Sequence, residues 1–173
     1  MLLVGFSTTD IFSPDRYALD LLGEVYSGLG SRLFTRLRDE LSLCYYCGAF
    51  QLAGVEPGFF AFYVGTTAPK IELCEKEIYA ELGRLHTTGL TADELNRAKA
   101  SIIGQRKVSL QDNSSVATMV ALDELYGLGY KNFQTVDNKY QAVTLADIQR
   151  VVDRYFNGKP SAVAVVRSPG KAN

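Results

Sequence analysis

Apolar positions along this chain fall into stretches with two different periods, and these stretches predict the elements. Leu2 to Thr8 reads as a strand. Tyr17, Ala18, Leu21, Leu22, Val25 and Tyr26 then recur at helical spacing as a buried stripe. Ser13-Pro14-Asp15 opens that helix, with Ser as cap, Pro in the first turn and Asp at the positive end. Gly28 and Gly30 end it, and Ser31 caps a short second helix whose stripe is Leu33, Phe34, Leu37 and Leu41. Two aromatic-rich strands, 44–52 and 59–66, flank a Gly54-to-Gly58 loop and predict a hairpin.

Helical spacing returns in the second half. Thr67 and Pro69 open a third helix carrying Ile71, Cys74, Ile78, Leu82 and Leu85, and Gly89 stops it. Thr91-Ala92-Asp93-Glu94 is a capping box for a helix through Leu95, Ala98 and Ile102. Asn113 or Ser114 caps the next, with Val116, Met119, Val120, Leu122 and Leu125, broken by Gly127 and Gly129. A short helical piece covers 133–142. Thr144 opens the last helix, with Ile148, Val151, Val152 and Tyr155 inward, and 161–166 reads as a closing strand before a frayed tail at 168–173. Helices segregated from a largely antiparallel sheet give a two-layer α+β fold, read as a single domain over 1–173.

Bulk numbers narrow the function. With 18 basic against 19 acidic residues the net charge is -1, which argues against a nucleic-acid partner. No apolar run approaches the roughly 20 residues of a membrane span. Met1 to Phe6 is too short for a signal peptide and reads as strand, so the chain is expected to begin inside an element and to belong to a longer protein. Three cysteines, Cys44, Cys47 and Cys74, suggest no disulfide framework and point to the cytoplasm. Cys44 and Cys47 form a C-x-x-C pair, but on a strand positions i and i+3 point apart, which favours packing roles.

Candidate chemistry is sparse. His86 is the only histidine, so neither H-E-x-x-H nor H-x-x-E-H can be built here, and it reads as a surface or capping residue. Gly28-Leu29-Gly30 lacks the third glycine of a dinucleotide turn and follows a helix. One segment differs. From Gly28 to Tyr45 a glycine turn, an arginine-rich helix and a strand opening on tyrosine follow one another. At roughly 100° per residue the stripe leaves Arg38 at its edge and Arg32 and Arg36 farther into solvent. Tyr46, Phe50 and Leu52 share a face expected to be core. Tyr45 shares the other with Cys47, Ala49 and Gln51, a floor of small residues for something to dock on. On the residues alone, Arg38 pairing with a nearby carboxylate and Tyr45 merely packing is favoured over a binding role.

The same segment resembles the signature of the C-terminal, non-catalytic domain of the pitrilysin/insulysin family, which includes the mitochondrial processing peptidases. The matching residues are Ser31-Arg32-Leu33-Phe34, Leu37-Arg38-Asp39 and Tyr45, seven positions after Arg38. Pro14 to Leu19, Phe59 to Thr67, Thr91 to Lys99 and Thr144 to Phe156 resemble further family segments in the same order. The chain departs from the pattern at Leu41, Ser42 and Cys44. The resemblance implies the LuxS/processing-peptidase-like metallohydrolase fold. It implies a wall of a closed chamber whose other half carries H-x-x-E-H and the zinc ion, so that this chain holds no catalytic residue, cofactor or metal ligand. Residues at the positions of Arg38 and Tyr45 are implied to hold the backbone of a peptide substrate. The zinc-bearing half, in the same polypeptide or in a partner subunit, is the implied partner, and a homodimer is compatible with it. The alternative is a structural or assembly subunit of the same fold without proteolysis.

Overall fold

The computed structural model describes residues 1–167, so the tail expected to fray lies outside the described residues. The order is β1 (Leu2–Ser7), α1 (Asp15–Val25), α2 (Arg32–Phe34) continuing into a π-helical turn (Thr35–Glu40), β2 (Cys44–Leu52) and β3 (Phe59–Thr66). Then come α3 (Ile71–Thr88), α4 (Ala92–Ser109), α5 (Asn113–Leu125), α6 (Val136–Ala142), α7 (Leu145–Tyr155) and β4 (Ser161–Val165). Among the described residues the strands form one antiparallel sheet in the order β2-β3-β1-β4. The helices pack on one of its faces, so the α+β class is as expected.

Register fixes which side chains meet the helices. Val4 stands between Phe62 and Val163, and Leu2 between Val64 and Val165. Residues opposite one another in a ladder share a face, so Leu2, Val4, Phe60, Phe62 and Val64 all turn inward and are buried. Rings then lock the layers together edge to face. Tyr26 meets Phe62 at 5.3 Å, and Phe156 meets both Phe6 and Phe60 at 5.2 Å. Burying a side chain of this size contributes roughly 2–3 kcal/mol. The stripes of α1, α3 and α7 are buried as their spacing predicts, except that Val25 and Tyr155 are only partly so.

Several boundaries differ. Helix α1 starts at Asp15, and Ser13 Oγ accepts from the Asp15 amide at 3.2 Å. Asp112, one residue ahead of the expected cap, closes the start of α5, its carboxylate accepting from the Ser115 amide at 2.8 Å. On α4, Ile103 is buried and Ile102 only partly so. Helix α5 has no buried residue, and its apolar side chains stay half-exposed or exposed.

The capping box at Thr91 is built as read, and Thr144 forms a second one. Thr144 Oγ1 accepts from the Asp147 amide at 3.2 Å, and the Asp147 carboxylate accepts from the Thr144 amide at 2.9 Å. Thr144→Ala leaves the Asp147 amide of α7 unanswered and is expected to cost about 1 kcal/mol, lowering Tm by about 2–4 °C in thermal unfolding.

The largest correction concerns β2. Its small side, Cys47 and Ala49, faces the core, while Tyr46, Phe50 and Leu52 face outward. The cause is the approach of α1: a Cβ on Gly23 would sit 3.7 Å from the Phe50 Cα. A helix axis that close to a strand leaves room only for small side chains between them.

Candidate functional site

The site begins at a cap. Ser31 Oγ accepts from the Phe34 amide at 3.1 Å and starts α2, while Leu33 and Leu37 are driven into the core. Between Thr35 and Glu40 the turn widens to π geometry, the Leu41 amide bonding back to the Arg36 carbonyl at 3.2 Å. A π turn advances each side chain by a smaller angle than the α period. That removes the arrangement expected for the three arginines. Arg38 is the exposed one, while Arg32 and Arg36 are tied down. Arg32 pairs through Nε with Glu94 and donates to the Gly89 carbonyl at 3.2 Å. Arg36 pairs with Glu77 and Glu40, both at 2.8 Å.

Tyr45 is positioned by an irregularity. The ladder between β2 and β3 slips between Cys44 and Tyr46, leaving Tyr45 as the extra, unpaired residue of a bulge. Its side chain leaves the sheet and is 80% exposed. Arg38 crosses to it: Nη1 donates to the Cys44 carbonyl at 2.9 Å, and the guanidinium carbon lies 5.1 Å from the centre of the Tyr45 ring. The two residues singled out in the sequence are therefore side by side at the surface. Among the described residues no carboxylate pairs with Arg38, and Tyr45 is not packed inward. An arginine fork has five N–H donors. One is spent on Cys44, and that bond aims the remainder.

Residues 1–102 match the family described as "Peptidase M16 inactive domain". The chain belongs to this family. A relative named "Uncharacterized zinc protease YmxG" from Bacillus subtilis is 25% identical over 170 residues, covering 98% of this chain and 41% of that protein. The inactive domain thus spans about two-fifths of the length of that relative. A protease from Helicobacter pylori superposes with a TM-score of 0.83 at 24% identity, over 94% of this chain and 40% of that one. The crystallised inactive peptidase domain of a Bordetella parapertussis protein gives 0.83 at 17% identity, over 95% of this chain and 91% of that one. At these identities the two solved structures establish shared fold alone.

Among the described residues no three His, Cys, Asp or Glu side chains cluster to hold a metal ion, so the zinc of the family's proteases does not fit this chain. His86 sits beside Asp153, Nδ1 to Oδ1 at 2.8 Å, with the Asn157 amide near its other nitrogen. No helix among the described residues is long and apolar enough to cross a membrane. The bulge also corrects the cysteine geometry: it turns Cys44 onto the same buried side as Cys47, where the two thiols meet. Burial and the adjacent Cys44 push the Cys47 thiol up to about 12, so it stays protonated and unreactive near neutral pH.

Sequence reasoning missed the outer face of the hairpin, which carries Tyr46, Phe50, Phe59 and Tyr63. The signal was present. Gly48 and Gly65 interrupt two strands, and glycine within a strand marks a close approach by another group.

Proposed function

We propose that this inactive domain is the non-catalytic half of a zinc metalloendopeptidase, completing a peptide-binding chamber and gripping the substrate backbone for a half that carries H-x-x-E-H. The observation that carries this reading is the Arg38–Tyr45 pair, a guanidinium fixed by the Cys44 carbonyl and stacked on an exposed phenol. A guanidinium and a phenol both donate to a peptide carbonyl and to the negative oxygen it becomes during hydrolysis. Such donors act best when preorganised, and here the fork is braced by a backbone bond and an aromatic ring. The name carried by the Bacillus subtilis relative, and the two-fifths of its length that this chain spans, support a larger protein with its metal elsewhere. The pair also lies at a sheet edge, because β2 is an outer strand, the kind of place an extended peptide joins.

The test is complementation. The chain alone, supplied with zinc, is expected to leave an unstructured reporter peptide intact. The same chain joined to, or mixed with, its H-x-x-E-H half is expected to support zinc-dependent cleavage that neither part shows alone. Cleavage by the isolated chain would overturn the reading. So would inertness of a proven complex, which would establish an assembly role.

A further inference from the structure

The open face of the sheet has a construction that the gripping pair does not explain. Tyr46 lies directly across from Gly65, and Tyr63 across from Gly48. A Cβ added at Gly65 would fall 2.3 Å from the Tyr46 ring, and one at Gly48 would fall 2.5 Å from the Tyr63 hydroxyl oxygen. Each tyrosine therefore lies down in the gap left by the glycine of the neighbouring strand, with one ring face on the backbone and the other turned outward. Phe50 continues the row, 6.2 Å from Tyr63, as Tyr63 is from Tyr46, and Phe59 closes it 5.7 Å from Phe50. No charged residue stands on this face of β2 or β3.

The geometry points to an aromatic platform that selects peptides by bulky apolar side chains, next to the backbone grip. This rests on the gripping role of Arg38 and names the substrate class for that same site. Three observations choose an extended peptide as the occupant. The platform is continuous with the grip, since Tyr46 follows Tyr45 in the chain and is 47% exposed. Its lack of charge penalises charged side chains, which would lose hydration and gain no partner. Its spacing also fits: same-face side chains of an extended chain are about 7 Å apart, close to the 6.2 Å between successive rings. Two alternate residues of one peptide can each rest against a ring, in the offset or edge-on contacts that aromatic groups favour.

The experiment uses two dye-labelled peptides of equal length and charge, one with phenylalanine at every second position and one with serine there. Binding to the chain is read by fluorescence polarisation. The phenylalanine peptide is expected to bind about tenfold more tightly. The double variant Tyr46→Ser/Tyr63→Ser should lose that preference while keeping its Tm and its affinity for the serine peptide. Gly65→Ala, which displaces the Tyr46 ring, should reduce the preference without removing any aromatic group. Arg38→Ala should weaken both peptides by a common factor and leave their ratio unchanged. If Arg38→Ala changes neither affinity while the preference persists, the platform stands and the grip falls. Equal binding of both peptides to the wild type overturns the platform, as does a preference that survives the double variant. Failure of both peptides to bind also overturns it. A dimer in sedimentation that the double variant dissolves would give the face to a second copy instead.

Discussion

Arg38→Ala is expected to lower kcat of the joined, zinc-bearing protein about a hundredfold, the scale of removing one preorganised donor to a developing oxyanion. The side chain is tied to the fold at two points. Its one internal hydrogen bond goes to the Cys44 carbonyl, and its flat face rests on an exposed tyrosine. The ring contact is exposed and the hydrogen bond only partly buried, so truncation should leave stability within about 0.5 kcal/mol of wild type. Loss of activity without loss of Tm then separates a binding role from a structural one. If the fork meets the reacting carbonyl mainly as charge builds on its oxygen, kcat falls and KM moves little. If it holds the ground state equally, KM rises and kcat is kept. Arg38→Lys should recover only part of the activity, because a lysine cannot donate to Cys44 and to substrate in the plane that a guanidinium offers. Tyr45→Phe keeps the ring beneath the guanidinium and removes only the hydroxyl, so it should lose less than Arg38→Ala. Kinetics of Arg38→Ala indistinguishable from wild type would remove the pair from the mechanism.

Arg38 and Tyr45 could be singled out together because the motif that holds them is local, and the structure sets them side by side. Most of the helices were legible for the same reason. Thr91, Thr144 and Ser31 cap where they were expected to, since a cap needs only residues within one turn of it. What failed depended on distant parts of the chain. Which side of β2 faces inward is decided by Gly23 of α1, which brings a helix so close that only Cys47 and Ala49 fit beneath it. Period-2 alternation gives two faces and cannot say which is covered, and the heavier aromatic side turned out to be the open one. The arginines failed through geometry. A helical wheel at the α period misplaces residues once the turn becomes π-helical, and nothing in Thr35 to Glu40 announces that change. Arg32 and Arg36 further owe their places to Glu94 and Glu77, 62 and 41 residues away in sequence. The bulge at Tyr45 had the same effect on the cysteines, reversing the inference that i and i+3 point apart.

Glu94→Gln is expected to be among the most damaging single changes in the domain, although Glu94 lies at the surface end of α4. Its carboxylate accepts from the Thr91 amide and hydroxyl, both at 2.8 Å, and pairs with Arg32. The side chains of Arg32 and Glu94 are 27% and 13% exposed, so the pair is largely shielded from solvent. Burial alone would raise the Glu94 pKa, but Arg32 and the Thr91 donors outweigh it and hold the group at about 2, against an ordinary 4.5. At 1.36 kcal/mol per pKa unit the difference corresponds to about 3 kcal/mol of stability at pH 7. The sign follows from the depression. Above the unfolded value of 4.5 the carboxylate is ionised in both states and the contribution is complete. As pH falls from 4.5 towards 2 the unfolded chain takes up the proton first and the contribution drains away. Urea unfolding of wild type and Glu94→Gln should therefore differ by about 3 kcal/mol at pH 7 and by only about 1 kcal/mol at pH 3. A gap that stays constant across that range would mean that glutamine disturbs packing, and that the charge of Glu94 is not what ties α2 to α4. The tie matters beyond stability, because Arg32 anchors the turn that carries Arg38. The same variant should loosen the grip on peptide as well as the fold, and peptide affinity at pH 7, where the variant remains folded, reads that coupling directly.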